Sequence, residues 1–589
     1  MRLPVFCWLL IILTIGWSGC ITDTSSSDPN NLYPTDARGN IIYQGDLPNV
    51  VRTHLAREPK ALHPILTLSA AKGMVLDYCF QSLLTVDEFG NRLPVLVRDL
   101  PIESPDKKTY TFELDPEAHW PDGAPITAQD VIFSFKLLTQ SSAIKSYLEN
   151  IQTISSPGEG TVVINARAYN FLNPYLGSLG YILDKRKFDP DGVLDDVSFA
   201  EMLSGEAGDD AMKKWTDWFK GPETGRNVDL LGSGSGPYQL TSWEEGRKIE
   251  LTRMEDYWGL GREEFFHQAK PDAITFSFVQ GNELLLQLEQ QTLDVSMYVG
   301  SQTWLDLREN DKVVANYVLD TVVSHGITAL ILNNQPDGKV RKPFFSDSRT
   351  RKAVALAISE QRLIDEQLGG LGKATGTPVP AGNLFHNPEL KPVGYDPNEA
   401  MHLLTAAGWV DSNGNGIRDS LIDGELVEFE MEMYRPTANN KEVRAAVGRM
   451  QDQLRAVGIA VEFTDGDVST FYLQTLKKEF DAGIMALSAG ATPYEFKPLW
   501  HSEAIGGFNV SLYSNPDLDA LIDIQRQDTS LSRQRDYALT IQEILYQDMP
   551  VIYLFYNFRK SVIHKRFNPQ PIIPISPFVR LNTLEMMTE

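Results

Sequence analysis

Two apolar rhythms alternate along this chain, and that alternation limits the folds open to it. A period of two marks half-buried strands, and a period near 3.6 marks amphipathic helices. Tyr110, Phe112 and Leu114 alternate with Thr109, Thr111 and Glu113. Ile274, Phe276 and Phe278 alternate with Thr275 and Ser277. Val427, Phe429, Met431 and Met433 alternate with Glu428, Glu430 and Glu432, which predicts a strand with one buried and one acidic face. Helix starts fall between these runs. Thr127-Ala128-Gln129-Asp130 reads as a capping box ahead of Val131-Ile132-Phe133. Asp396 caps a helix with Pro397 at its first position, and Gly408 supplies the left-handed stop. Asn515-Pro516 opens another helix in the same way. Asp347 caps a helix carrying Val354, Ala357, Ile358, Ile364 and Leu368 on one stripe. Interleaved strands and helices predict an α/β or α+β chain of several lobes. The acidic, loop-rich stretch 190–228 reads as a surface insertion.

The chain has 589 residues, enough for three or four units of roughly 150 residues each. Its 42% hydrophobic content can fill real cores, which excludes wholesale disorder. Its net charge of −25 argues against a nucleic-acid partner, which needs a basic face.

The N-terminus reads as a targeting segment. Arg2 precedes the apolar run Leu9-Leu10-Ile11-Ile12-Leu13-Thr14-Ile15, which is short for a membrane span. The run closes on Trp17-Ser18-Gly19-Cys20, and Ser-Gly-Cys there resembles a bacterial lipobox, with Trp17 where leucine is usual. That resemblance implies a lipoprotein signal peptide over 1–19, a lipidated Cys20, and export to the periplasm or cell envelope with a lipid anchor in a membrane. The polar stretch 20–47 is expected to be a flexible tether. Cys7 would leave with the signal and Cys20 would carry lipid, so Cys79 has no disulfide partner. It sits among Val75, Leu76 and Phe80, as a buried structural thiol would.

Five blocks in order carry a family resemblance. They are Thr109–Leu114 with Trp120-Pro121-Asp122-Gly123 and Thr127–Val131; Gly234-Ser235-Gly236-Pro237-Tyr238 with Asp256-Tyr257-Trp258-Gly259; Asp347-Ser348-Arg349-Thr350-Arg351-Lys352-Ala353; Tyr395-Asp396-Pro397 through Ala407-Gly408-Trp409; and Tyr513-Ser514-Asn515-Pro516 with Met549-Pro550. Together they resemble the extracellular solute-binding proteins of ABC importers in the peptide/nickel class, over roughly residues 48–585. The blocks themselves are turns and helix starts, so they identify a scaffold and leave the ligand open. The resemblance implies an α/β, periplasmic-binding-protein-like fold of the large three-lobed type. Its lobes would be 48–84 with 229–335 and 556–589, then 85–228, then 336–555. The ligand would lie between lobes, trapped by hinge closure. By the same resemblance the chain would be a monomer without catalytic residues or cofactor. It would capture a peptide-like solute and hand it to ABC permease subunits. An oligosaccharide or other solute, or a sensor role without transport, is the alternative. Rough alignment to the family's binding segments picks out Leu68, Ser69, Ala70, Tyr147, Leu487, Ser488, Ala489 and Tyr494 as ligand contacts.

One departure bears on the ligand. Peptide binders of this family often carry an aspartate for the peptide's amine. The matching stretch here, Ala486-Leu487-Ser488-Ala489-Gly490-Ala491-Thr492-Pro493, has no acid at Ala489, at Thr492 or elsewhere. Glu495 is the nearby acid that could substitute. Asp411, Asn413, Asn415 and Asp419 match the start of a calcium loop, but Ile422 stands where the closing glutamate belongs. A polar, glycine-rich hairpin is the favoured reading. Gly232–Gly236 leads into Pro237 and a strand, not the helix a phosphate cradle needs. His63 is expected to be a hydrogen-bonded structural residue near the cleft wall. No His-Glu-x-x-His pair or nucleophile elbow points to catalysis.

Overall fold

The computed structural model describes residues 48–66, 70–205, 210–221, 223–279, 281–336, 341–436 and 441–587. Cys20, the signal and tether segments, Leu68 and Ser69 lie outside the described residues.

Three larger sheets organise the chain. In the first, Val50–Leu55 runs parallel to Ala273–Phe278, followed by Lys248–Arg253 and Tyr238–Glu244, both antiparallel to their neighbours. The second is antiparallel, in the order Ile102–Glu103, Thr109–Glu113, Thr161–Ala166, Ile151–Gly158. Their inward residues, Val51, Ile274 and Phe276 from one and Tyr110 and Phe112 from the other, belong to one core. Each such aromatic, fully buried, contributes roughly 1.5–3 kcal/mol. The third sheet has seven strands, flanked by two further cores.

Two long strands join these bodies. Tyr317–Leu332 pairs antiparallel with Val551–His564 along most of its length. The first half of the pair ends beside Val295–Ser296, near the first sheet, while the second half pairs with Ala482–Ser488. Between the halves the register slips, so that Ser324, His325 and Gly326 face Asn557. The bulge is closed locally: Ser324 Oγ donates to the Asn557 carbonyl at 2.9 Å, and Asn557 Nδ2 donates to Thr328 Oγ1 at 3.0 Å.

A buried ion cluster ties the first sheet to the C-terminal segment. The Asp294 carboxylate accepts from Arg52 Nε at 2.9 Å and Nη2 at 2.8 Å, and from Arg566 Nε at 3.0 Å and Nη2 at 2.9 Å. Arg566 also donates to the Val50 carbonyl.

Most helix starts fall where the sequence puts them. Thr127 and Asp130 form the capping box of Ala128–Leu138. Asp396 caps Pro397–Ala406, with Gly408 at φ +93°, and Asn515 caps Pro516–Gln527. The Gly232–Gly236 stretch enters the strand at Tyr238, and a Cβ on Gly234 would stand 2.0 Å from the Cys79 carbonyl oxygen. Here the glycine is required by a close chain crossing.

Three expectations are corrected. The helix after Asp347 ends at Ala357; Ser359 then caps a second helix, Glu360–Leu368, by accepting from Arg362 N. A side chain that caps ends one helix and starts another, and the apolar stripe cannot show the break. The alternating run 427–433 divides between Glu425–Glu428, in a hairpin with Asp419–Ile422, and Glu430–Pro436, in the seven-stranded sheet. Residues 190–228 are not a surface insertion. Leu194, Phe199, Met202, Trp215 and Phe219 are buried in the first core. Helix Asp210–Lys220 does this with Trp215 and Phe219 one turn apart, their rings stacked at 4.8 Å.

A candidate ligand cleft between the second and third sheets

Two adjoining cavities of about 750 and 460 Å³ separate the second-sheet body from the seven-stranded sheet. These volumes are in the range of small-molecule sites. Both cavities share Tyr147, Asn170, Glu495 and Phe508. Tyr147 comes from helix Ser142–Leu148, which Ser141 starts. Asn170 follows the second sheet, in a stretch where Asn150 Nδ2 ties back to the Ala168 carbonyl at 2.8 Å. The opposite wall begins where strand Ala482–Ser488 ends. Ala489 N donates to the bulged His325 carbonyl at 3.3 Å. Asn383 then holds the next turn: its Nδ2 donates to the Thr492 carbonyl at 2.8 Å, and its Oδ1 accepts from Tyr494 N at 3.3 Å.

The two walls touch at their rim. Phe171 N donates to the Arg526 carbonyl at 3.1 Å, and Gln534 Nε2 donates to Tyr169 Oη at 3.3 Å. Gly90, at φ +86°, lies so close to Ala491 that an added Cβ would stand 2.7 Å from its carbonyl oxygen.

The sequence-picked contacts divide. Tyr147, Ser488, Ala489 and Tyr494 line the 460 Å³ cavity together. Leu487 does not line it; it pairs with Ile327 and packs against the third core. Ala70 begins helix Ala70–Leu76. Ala489 and Thr492, the two positions that match the family's amine-binding aspartate, are both on the wall. The acid that lines both cavities is Glu495. Its Oε1 accepts from Lys497 N at 3.2 Å and lies 3.2 Å from Arg526 Nε, while Oε2 is buried without a partner. Burial pushes the Glu495 carboxyl up from its ordinary pKa, and Arg526 pulls it part of the way back. Asn170, Tyr175, Phe508 and Arg526 also line the cleft, from loops and helix ends that carry no motif.

Other candidates have local roles. His63 Nε2 bonds the Phe219 carbonyl at 2.8 Å, and its Nδ1 accepts from Ile65 N and Leu66 N, each at 3.1 Å. In the 411–423 loop, Asp411 accepts from the backbone of Gly414, Asn415 and Gly416, and Asp419 accepts from Ser412 N and Oγ. These oxygens are spent on the loop's own amides. Among the described residues no group of three or more His, Cys, Asp or Glu could hold a metal. No helix of the described residues is long and apolar enough to cross a membrane.

A cleft between bodies that share two continuous strands is the architecture of a periplasmic-type binding protein. The chain belongs to the bacterial extracellular solute-binding proteins, family 5, whose middle-region model matches residues 93–506. It is 23% identical to the oligopeptide-binding protein AppA of Bacillus subtilis (strain 168), over 93% of this chain and 92% of that one. It is 25% identical to the probable D,D-dipeptide-binding periplasmic protein DdpA of Escherichia coli (strain K12), over 87% and 90%. The fold matches the structure of Bacillus subtilis AppA in complex with a nonapeptide, with a TM-score of 0.72, 20% identity, and 92% and 99% coverage. It also matches NikA of Brucella suis in complex with Fe(III)-EDTA, with a TM-score of 0.73, 18% identity, and 91% and 100% coverage.

Proposed function

We propose that this family 5 solute-binding protein captures a peptide-like solute outside the cytoplasmic membrane and delivers it to an ABC permease. The observation that carries the reading is the cleft itself, where Tyr147 from one wall meets Ser488, Ala489 and Tyr494 from the other. Its relatives' names point the same way, since they include oligopeptide- and dipeptide-binding proteins. The lobes are those of the resemblance, 48–84 with 229–335 and 556–589, then 85–228, then 336–555, except that the boundary at 335 moves back to the bulge at Ser324–Gly326, which is the hinge, since Leu330 and Leu332 are buried with the third lobe's core. A cleft that closes on its ligand needs no catalytic group, and this chain performs no chemistry. Cys20 anchors it by lipid to a membrane, and it acts as a monomer. Glu495 is the acid presented to the solute in place of the one missing from 486–493.

A thermal-shift screen of the purified chain against peptides, oligosaccharides and metal ions tests the reading. A ligand specific to the native state raises the melting temperature once its concentration exceeds Kd. A shift with peptides supports the importer role. A shift with oligosaccharides alone keeps the scaffold and replaces the substrate class.

A further inference from the structure

The cleft is divided. Its two cavities, of about 750 and 460 Å³, share Tyr147 and Asn170 from one wall and Glu495, Pro498 and Phe508 from the other. These shared side chains form a partition, and the chemistry differs across it. The smaller cavity is walled by Leu172, Leu176, Leu179 and Leu499, and Glu495 on the partition is its one charged residue among the described residues. The larger holds Glu149, Lys497, Glu503 and Arg526 besides Glu495, three carboxylates against two cations. Both cations are already engaged. Lys497 Nζ lies 2.9 Å from Glu503 and 3.3 Å from Asp523, and Arg526 Nε lies 3.2 Å from Glu495.

Phe508 is 44% exposed, yet its loop is tied down on both sides. The Ala504 carbonyl accepts from Gly507 N at 3.0 Å and from Asn509 N at 3.2 Å. The buried Asn509 side chain donates to the His501 carbonyl at 3.1 Å and to the Tyr513 carbonyl at 2.9 Å. Gly506, at φ +86°, makes the turn before the ring. A fixed backbone thus presents an apolar ring where the two cavities meet, and a bound solute can cover it.

We propose that Phe508 is a specificity-determining residue. It makes the cleft select a solute with an apolar side chain beside a cationic one, the first in the smaller cavity and the second in the larger. Adjacent side chains of an extended peptide point to opposite sides of its backbone. Two neighbouring residues laid across the partition therefore send one side chain into each cavity. A cation in the smaller cavity would be desolvated among leucines, whereas the larger holds one more carboxylate than cation. The assignment rests on the peptide reading of the cleft, and its test separates the two.

The purified full-length chain is titrated calorimetrically with Ala-Leu-Lys-Ala, Ala-Lys-Leu-Ala, Ala-Leu-Leu-Ala and Ala-Lys-Lys-Ala. All four have the same termini, so contacts to the amine and the carboxylate cancel. The tighter mixed peptide is expected to exceed each uniform one by about tenfold or more, the worth of one hydrogen bond to a charged group. In Phe508→Ala that ratio should fall to about threefold or less, while Phe508→Leu, which keeps an apolar divider, retains it. Four equal affinities in wild type would overturn the division of the cleft and leave the peptide reading intact. A uniform peptide binding tightest would overturn the assignment of the cavities. If Phe508→Ala weakens all four alike, Phe508 is a contact and does not select, and the proposal falls. Binding of none of the four overturns both the proposal and the peptide reading. Without ligand, Phe508→Ala should melt as wild type does, because the loop's hydrogen bonds run through its backbone and Asn509. A clear drop would mark Phe508 as structural and overturn the proposal.

Discussion

Replacing Asp294 with alanine removes the one carboxylate that two guanidiniums share. The Asp294 side chain has no exposed surface, and that of Arg566 is 1% exposed. Removing one member of a buried pair costs about 3–5 kcal/mol, because the remaining charge is left without compensation. Arg52 is 17% exposed and can turn toward water; Arg566 cannot. One stranded charge rather than two places the expected loss near the lower end, about 3 kcal/mol. At about 2–4 °C per kcal/mol for a unit of 150–250 residues, the transition of the first core should fall by roughly 6–12 °C. Calorimetry and urea titration of wild type, Asp294→Ala, Arg566→Met and the double variant close a cycle. The double variant should recover part of the loss, since it also removes the stranded charge. The effect should also depend on pH. Burial alone would push the Asp294 pKa up, but the two guanidiniums outweigh it and hold the value below the ordinary one. A depressed folded pKa gives stability that is complete above the unfolded value, near pH 4, and lost as pH falls through the folded value. The penalty of Asp294→Ala should therefore shrink in acid. A loss below about 1 kcal/mol at neutral pH, the scale of a surface pair, would refute the reasoning.

Four further outcomes are expected. Gly90→Val should weaken peptide binding more than it lowers the melting temperature, because its side chain meets the Ala491 carbonyl where the two walls touch; unchanged affinity by calorimetry counts against closure there. Glu495→Gln should cost about tenfold or more in affinity for free-amine peptides and spare N-acetylated ones, as the loss of a charged acceptor requires; equal effects on both would remove Glu495 from amine recognition. Glu360 is buried, and burial raises its pKa from 4.5 to about 7. A raised acid is destabilising once pH exceeds its unfolded value, so Glu360→Gln should stabilise the chain by up to about 3 kcal/mol at pH 8 and by almost nothing at pH 4, as denaturant titration at both values would show. Cys79 is fully buried and its thiol pKa is pushed up by burial, so a thiol reagent should label it only after unfolding; prompt labelling of the native chain would contradict that placement.

What was legible in the sequence was local. Thr127, Asp347, Asp396 and Asn515 act through their own next few residues, and each starts the helix expected of it. Tyr110 and Phe112 alternate within one strand and are buried together. Harder to see was any break that leaves the apolar rhythm intact. Ser359 interrupts a helix while Ile364 and Leu368 keep the stripe, and Phe429 sits between two strands while Met431 and Met433 keep the alternation. The cleft was half legible. Tyr147, Ser488, Ala489 and Tyr494 came from alignment to a family, and they do share a cavity. Asn170, Phe508 and Arg526 join them through chain contacts hundreds of residues apart, for which one sequence holds no period or motif. The charge of Arg559 is plain in the sequence, but its seat over the Phe578 ring, with Nε buried and without a hydrogen bond, exists only in three dimensions.

The Asp294 cluster also imposes an order of assembly. Its three members stand at positions 52, 294 and 566, and the core they close draws on Val51 as well as Val579 and Leu584. A ribosome emits the first of these more than five hundred residues before the last. Until the C-terminal segment arrives, the opening strand Val50–Leu55 has lost both the Arg566 contact to Val50 and the apolar lid beyond it. Pairings so distant in sequence are slow to form and late to reward the chain. The first core is thus the one whose closure waits for the end of the chain, while the second sheet, built wholly from residues 102–166, has all its strands long before.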